Sequence, residues 1–311
     1  MEFEYIKCHG SGNEFVMVDA VKYNFEGIDL AAFSRFICNR EDSVGADGIL
    51  LLVERDGIYG MRMFNPDGSE AEMCGNGIRC VARLAEEYVG ERKFDMFSGG
   101  NIYHISREED IYPAIPTYGV DLGVRLASDD FGFAEGAEQF VSKRIETLDT
   151  TLLWSAINVG NPHIIAEVEE IDYDHLTRLG ERVLELKNEF PKGINVSLVK
   201  VLGENRIFVA TYERGAGITA SCGTAMTSSA TAMALNGRCD YGKVIEVENR
   251  GGAVRCICHN EGGLHTQLIG NASYISYGRV VIDNADFICA EVGKANEEIE
   301  LYNNFLRSKN A

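Results

Sequence analysis

The chain has 311 residues, 45% of them apolar and 25% charged, the balance of an ordinary globular protein and enough for two domains rather than one. A net charge of −19 disfavours nucleic acid, whose phosphates demand clustered Lys and Arg. No apolar run approaches the ~20 residues that span a bilayer, and the start, Met1-Glu-Phe-Glu-Tyr-Ile-Lys7, lacks the basic and apolar regions of a secretion signal.

Phe15–Asp19 follows a Gly-rich turn and reads as a strand. Asp29 then caps a helix over Leu30–Asn39, where Leu30, Phe33 and Ile37 recur at helical spacing. Gly48–Val53 and Tyr59–Phe64 read as strands joined at Asp56-Gly57, and Asn65-Pro-Asp-Gly68 as a turn. After Cys74, Ile78, Val81, Ala82, Ala85 and Val89 mark a helical face that Gly90 ends. The stretch Arg107–Thr150 is acidic and irregular apart from a strand at Tyr118–Leu126, and it belongs to the crossover between two lobes. Ser155–Gly160 leads into the Gly160-Asn-Pro-His163 turn and an apolar segment, Ile164–Val168. Asp172 caps a helix reaching about Leu186. Val196–Val201 and Arg206–Tyr212 read as strands, and a helix headed by Cys222 ends at Asn236-Gly237. Ile275–Asp283 reads as a returning strand, and the tail to Ala311 as polar helix.

The plan repeats. A shift of 148 residues (222 − 74) lays Cys74-Gly-Asn-Gly77 on Cys222-Gly-Thr-Ala225 and Gly12-Asn13 on Gly160-Asn161. It also lays Gly45-Ala-Asp47 on Gly193-Ile-Asn195 and Asn65 on Glu213. Two copies, each with a cysteine at the mouth of a helix, imply two facing lobes with one thiol apiece. Free N–H groups at such a helix start favour negative charge, so they lower a thiol's pKa and bind carboxylates. A lone capped cysteine is commonly a buried one; a repeated pair argues for a site.

Nine scattered cysteines, an odd number, make a poor disulfide framework and point to free thiols in a reducing cytoplasm. Cys256-Ile-Cys258 alternates within a strand and is not a metal knuckle, so no metal site is expected. Neither a phosphate-binding Gly-rich turn nor a Schiff-base lysine context stands out, so no cofactor is expected. Two opposed thiols suit a reaction in which a proton leaves one face of a carbon and returns to the other. His163 and Glu213 are the candidate tuning groups. Backbone amides of Gly75, Asn76, Gly223 and Thr224 are candidates to grip an α-carboxylate and stabilise developing charge.

The chain resembles the diaminopimelate epimerases, a cofactor-independent two-thiol family. The stretches that carry the likeness are His9-Gly-Ser-Gly-Asn-Glu-Phe15, Gly45-Ala-Asp-Gly48 and the block Phe64 to Cys80. Further on come Gly160-Asn-Pro-His163, Phe190-Pro191 through Asn195-Val196, Tyr212-Glu-Arg-Gly-Ala-Gly217, Cys222-Gly-Thr224 and Gly251-Gly252. The resemblance implies an α/β (α+β) fold of two pseudo-symmetric domains. Each would be a mainly antiparallel sheet wrapped around a central helix, with the active site in the cleft between them. The expected lobes are residues 1–115 with 277–311, and 116–276.

The resemblance also implies roles. Cys74 and Cys222 match the acid/base pair, and His163 and Glu213 the groups that orient substrate and tune the thiols. Asn13, Asn65, Asn161, Asn195 and Arg214 match the residues that hold the substrate's polar groups, and Arg214 suits a carboxylate because a guanidinium grips one through two bonds. The implied reaction converts LL- to meso-diaminopimelate for lysine and peptidoglycan synthesis. The partner is a small amino acid, with no nucleic acid or membrane, and a homodimer stays open. Ile218, Ala225 and a longer tail depart from the family pattern. Racemisation of another amino acid such as histidine, and a non-catalytic thiol-pair metabolite-binding protein, are the competing readings.

Overall fold

The structure, a computed structural model, describes residues 1–126, 131, 139–191, 193–283 and 286–309. The chain divides into two compact units, Met1–Val120 with Ile269–Ala311, and Asp121–Leu268. Both are mostly sheet with few helices.

In the first unit the strands are β1 (Glu2–Gly10), β2 (Asn13–Asp19), β3 (Ile49–Arg55), β4 (Ile58–Phe64), β5 (Glu70–Ala71), β6 (Lys93–Ser98), β7 (Asn101–Glu108) and β8 (Thr117–Gly123, which runs on past the boundary). The segment that returns to this unit adds β18 (Ser273–Asp283) and β19 (Asp286–Lys294). Pairing runs β19-β18-β1-β2-β3-β4-β6-β7-β8, antiparallel except at β2–β3 and β4–β6. Helix α1 (Leu30–Ile37) starts where Asp29 accepts from the Ala32 amide. Its Phe33 and Ile37 pack on Phe3, Val16, Val18, Ile49 and Leu51. Helix α2 (Gly75–Val89) packs against β1 to β4. It ends at Gly90, whose φ of 71° lies in the left-handed region that glycine enters at no steric cost.

In the second unit β9 (Lys143–Ile145), β10 (Asp149–Asn158), β11 (Pro162–Glu167), β12 (Asn195–Gly203), β13 (Arg206–Glu213), β15 (Val244–Asn249) and β16 (Gly252–His259) pair in that order, with β14 (Gly217–Ile218) on the end of β13. Strand β17 (His265–Asn271) crosses the boundary between units. Helix α3 (Tyr173–Glu185), capped by Asp172, lays Leu176, Leu179 and Val183 on Trp154, Ile164, Val196 and Leu198. Truncating any of the three leucine or valine anchors would cost roughly 2–5 kcal/mol. Helix α4 (Gly223–Leu235) is buried at every position to Ala234 and packs against β10 to β13, β15 and β16. A helix buried all round must be apolar or small on every face, and Ala, Thr, Ser and Met supply that. The expected pattern of a sheet wrapped around a central helix is thus met in each unit.

The repeat holds down to register. Phe64 pairs with Glu70 and Tyr212 with Ile218, the same pair moved by the same shift. Arg79 on α2 donates to the Gly75 carbonyl, and Thr227 on α4 donates to that of Gly223, again equivalent positions.

Two expectations need correction. The tail does not pass straight into helix: residues 286–294 form β19, antiparallel to β18, and only then does α5 (Asn296–Lys309) begin. The region Arg107–Thr150 is less irregular than expected, since β9 and the start of β10 lie in it. Within that region 127–130 and 132–138 lie outside the described residues, as do 310–311 at the tail's end.

Helix α5 returns to the elements around Cys74. Glu298 pairs with Arg83 of α2 through two bonds of 2.8 and 2.9 Å. Tyr302 meets the His9 ring edge-on at 4.4 Å and packs with Tyr112 and Ile115.

Candidate active site

Cys74 occupies the N-cap of α2 in extended conformation, and its sulfur accepts from the Gly77 amide at 3.4 Å. This is the place where serine or threonine usually satisfies an orphan helix donor. The side-chain oxygen of Asn13 lies 4.0 Å from the sulfur and also accepts from Asn76 at 3.3 Å. Asn13 is held in turn, because its amide donates to Asp47 at 2.9 Å. Fully buried Arg79 donates to the Asn76 side chain at 2.9 Å and to Ser11 at 3.3 Å, besides the Gly75 carbonyl. Gly10 and Gly270 make room for it; a Cβ at Gly270 would come within 2.6 Å of the guanidinium. Asn65 bonds Ser69 within its own turn, one residue beyond β4.

In the second unit Cys222 takes the equivalent N-cap of α4, without a side-chain capping bond. Its sulfur lies 3.4 Å from the Thr224 hydroxyl. His163 is wholly buried, with Nε2 at 3.0 Å from Asn161, 3.1 Å from Thr224 and 3.5 Å from Asn195. Asn195 also accepts from the Arg214 amide at 2.9 Å, which ties the end of β13 to the start of β12. Glu213 accepts from the Thr219 hydroxyl. Arg214 lies across Gly193, where a Cβ would be 2.6 Å from its Cδ.

Most of the expected residues gather into two clusters: Cys74 with Asn13, Gly75 and Asn76, and Cys222 with Gly223, Thr224, His163, Asn161, Asn195 and Glu213; Asn65 stays within its own turn and the Arg214 side chain lies against Gly193. Of the departures from the family pattern, Ile218 packs on the core of its unit and Ala225 is buried in the first turn of α4.

Electrostatics differ from the expectation. The helix-start donors do pull the Cys74 thiol down, but burial outweighs them and pushes it up to about 11. Cys222 is raised well above the ordinary thiol range, first by burial and then by the Glu213 charge. Burial, aided by Arg214, lowers His163 to about 3, so its imidazole is neutral at physiological pH.

Sequence reasoning missed Asp47 and Arg79 as site residues. Asp47 was visible inside Gly45-Ala-Asp-Gly48; Arg79 is a charge placed between Ile78 and Cys80 on a helix whose neighbours are all buried.

Comparison with known proteins agrees with the folded clusters. The diaminopimelate epimerase family profile matches residues 5–110 and 155–275. A diaminopimelate epimerase of Clostridium acetobutylicum is 36% identical over 98% of this chain and 94% of its own length. One from Listeria monocytogenes is 35% identical over 96% and 94%. Among solved structures, a phenazine biosynthesis protein of the PhzF family from Bacillus anthracis aligns with TM-score 0.65 at 16% identity, covering 91% of this chain and 100% of that one. A hydroxyproline epimerase from Agrobacterium vitis aligns with TM-score 0.63 at 12% identity, covering 92% of each. The two solved structures speak for the fold alone, whereas the profile and the sequence relatives decide the matter: the chain belongs to the diaminopimelate epimerase family.

Proposed function

We propose that the protein is an isomerase that interconverts LL- and meso-diaminopimelate without a cofactor, serving lysine and peptidoglycan synthesis. The observation that carries this reading is the repeated placement of a cysteine at the N-cap of a central helix, within a chain of this family.

One thiolate takes the α-proton, so that the C–H bond breaks and an S–H bond forms. The second thiol then protonates the carbon from the other side and becomes a thiolate. The reverse reaction exchanges the roles. The α-proton is far less acidic than a thiol, so a strongly basic thiolate is useful, and burial supplies that basicity. The cost is a small thiolate population, which the α-ammonium of an incoming substrate offsets by favouring negative charge nearby. Amides of Gly75, Asn76, Gly223 and Thr224 bind the α-carboxylate as charge develops on the carbon. Asn13, Asn65, Asn161, Asn195 and Arg214 hold the remaining polar groups, with Arg214 on the distal carboxylate. Neutral His163 orients its neighbours rather than carrying charge. Glu213 keeps Cys222 protonated until substrate arrives.

Incubation in D2O with LL-diaminopimelate under reducing conditions should place deuterium at the α-carbon and yield the meso form. Exchange with histidine but not with diaminopimelate would replace this reading with a racemase, and exchange with neither would leave a binding protein.

A further inference from the structure

Thr224 lies in the first turn of α4, and its hydroxyl has a neighbour on either side: Cys222 Sγ at 3.4 Å and His163 Nε2 at 3.1 Å. His163 has no exposed surface, and its Nδ1 has no hydrogen-bond partner among the described residues. A buried N–H without an acceptor is costly, so the ring proton belongs on Nε2, where the Asn161 and Thr224 oxygens at 3.0 and 3.1 Å lie nearer than the Asn195 amide nitrogen at 3.5 Å, which also donates to the Pro162 carbonyl at 3.3 Å. A hydroxyl that accepts from an imidazole keeps its own proton to give, and the sulfur lies on that side.

We propose that Thr224 is a positioning residue whose hydroxyl links His163 Nε2–H to Cys222 and donates to the sulfur when the thiol gives up its proton. This role is separate from that of its backbone amide, and it rests on the reading of Cys222 as an acid/base group. In the thiol state the S–H donates to the Thr224 oxygen, and His163 Nε2–H turns to Asn161. The charged groups around the link are Glu213, which opposes negative charge on the sulfur, and Arg214, which adds to burial in keeping the imidazole neutral. The equivalent position beside Cys74 is Asn76, whose side chain bonds Asn13 and Arg79. Cys74 thus has no matching hydroxyl and serves as an internal control.

The experiment is residue-resolved alkylation by iodoacetamide at one fixed alkaline pH, followed by mass spectrometry of both cysteine peptides in the full-length protein. Thr224→Val, which keeps the shape and removes the hydroxyl, should slow alkylation at Cys222 about tenfold, the factor carried by one hydrogen bond to a charged group. Cys74 should react at its original rate, which shows that the effect is confined to the unit that holds Thr224. Thr224→Ser should restore Cys222 to within about twofold. Unchanged alkylation of Cys222 in Thr224→Val, or a Thr224→Ser variant as slow as the valine, would overturn the link. Alkylation needs no turnover, so the result stands apart from the substrate: epimerase loss with unaltered alkylation would reject the link and leave the two-thiol reading in place.

Discussion

At the head of α2 the Cys74 sulfur accepts from a backbone amide beside the side chain of Asn13, whereas at the head of α4 the Cys222 sulfur has a hydroxyl and a carboxylate for neighbours. The helix below Cys74 is anchored by a buried arginine that reaches the Ser11 turn, and the helix below Cys222 by a threonine that bonds the Gly223 carbonyl one turn earlier. Duplication therefore preserved the backbone device and let the side chains diverge. The first half builds a rigid frame of amides around its thiol; the second surrounds its thiol with groups that can move or oppose a proton. A reaction that is the same in both directions does not require two identical thiols, only two that exchange roles.

The largest test of that comparison removes the sulfurs. Cys74→Ala and Cys222→Ala should each lower epimerisation by roughly 10³-fold or more, since general acid and base are both lost to the cycle. Near-normal turnover of either variant, followed by the α-deuterium assay, would dissolve the pairing.

Next come the anchors. Arg79→Met should cost about 3 kcal/mol in urea unfolding, because Ser11, Asn76 and the Gly75 carbonyl lose a buried charged donor. Thr227→Val should cost about 1 kcal/mol. Equal costs would mean that the two frames are not built differently.

Acid tests the two buried histidines. Burial holds His9 to about 4 and His163 to about 3, against an ordinary value of 6.5. Below pH 6.5 the unfolded chain takes up protons that the folded chain refuses, so stability is full above that pH. It falls as the pH drops toward about 4 for His9 and about 3 for His163, each adding up to ~1.4 kcal/mol per pH unit. His163→Gln should flatten the slope by one histidine's share in urea titrations run at successive pH values; an unchanged slope would place the proton uptake elsewhere.

The smallest effect is at Glu213. Its charge is the second cause of the raised Cys222 thiol, so Glu213→Gln should speed Cys222 alkylation a few-fold and leave Cys74 alone. A rate change at Cys74 of the same size would show a general loosening instead.

Much of this organisation was legible in the residues. Asp29, Asp172 and Gly90 marked helix ends by capping chemistry that acts locally, and the shift between Cys74 and Cys222 carried the rest of the repeat. Strand β1 is hard to see in the sequence because only Phe3 and Tyr5 show its alternation before the register breaks between Lys7 and Cys8. Strand β19 does not show in the sequence because its outward positions are also apolar: Ile288 is 60% exposed and Val292 65%, which erases the two-residue period. The Cys74 and Cys222 clusters were legible by type, but not the direction of the thiol shifts. A helix start is visible in sequence; how deeply its cap is buried depends on strands distant in the chain.

The final helix has a bearing on how the polypeptide leaves the ribosome. Unit two spans Asp121–Leu268 without a break, while the half that holds Cys74 waits for β18, β19 and the helix bearing Glu298 and Tyr302. Domains finished early in synthesis fold early, so a nascent chain that ends at Leu268 and is carried clear of the ribosome by an unstructured linker is expected to contain a protease-resistant later half and a protease-sensitive beginning. Pulse proteolysis of stalled chains would read this inverted order directly, and equal resistance of both parts would rule it out.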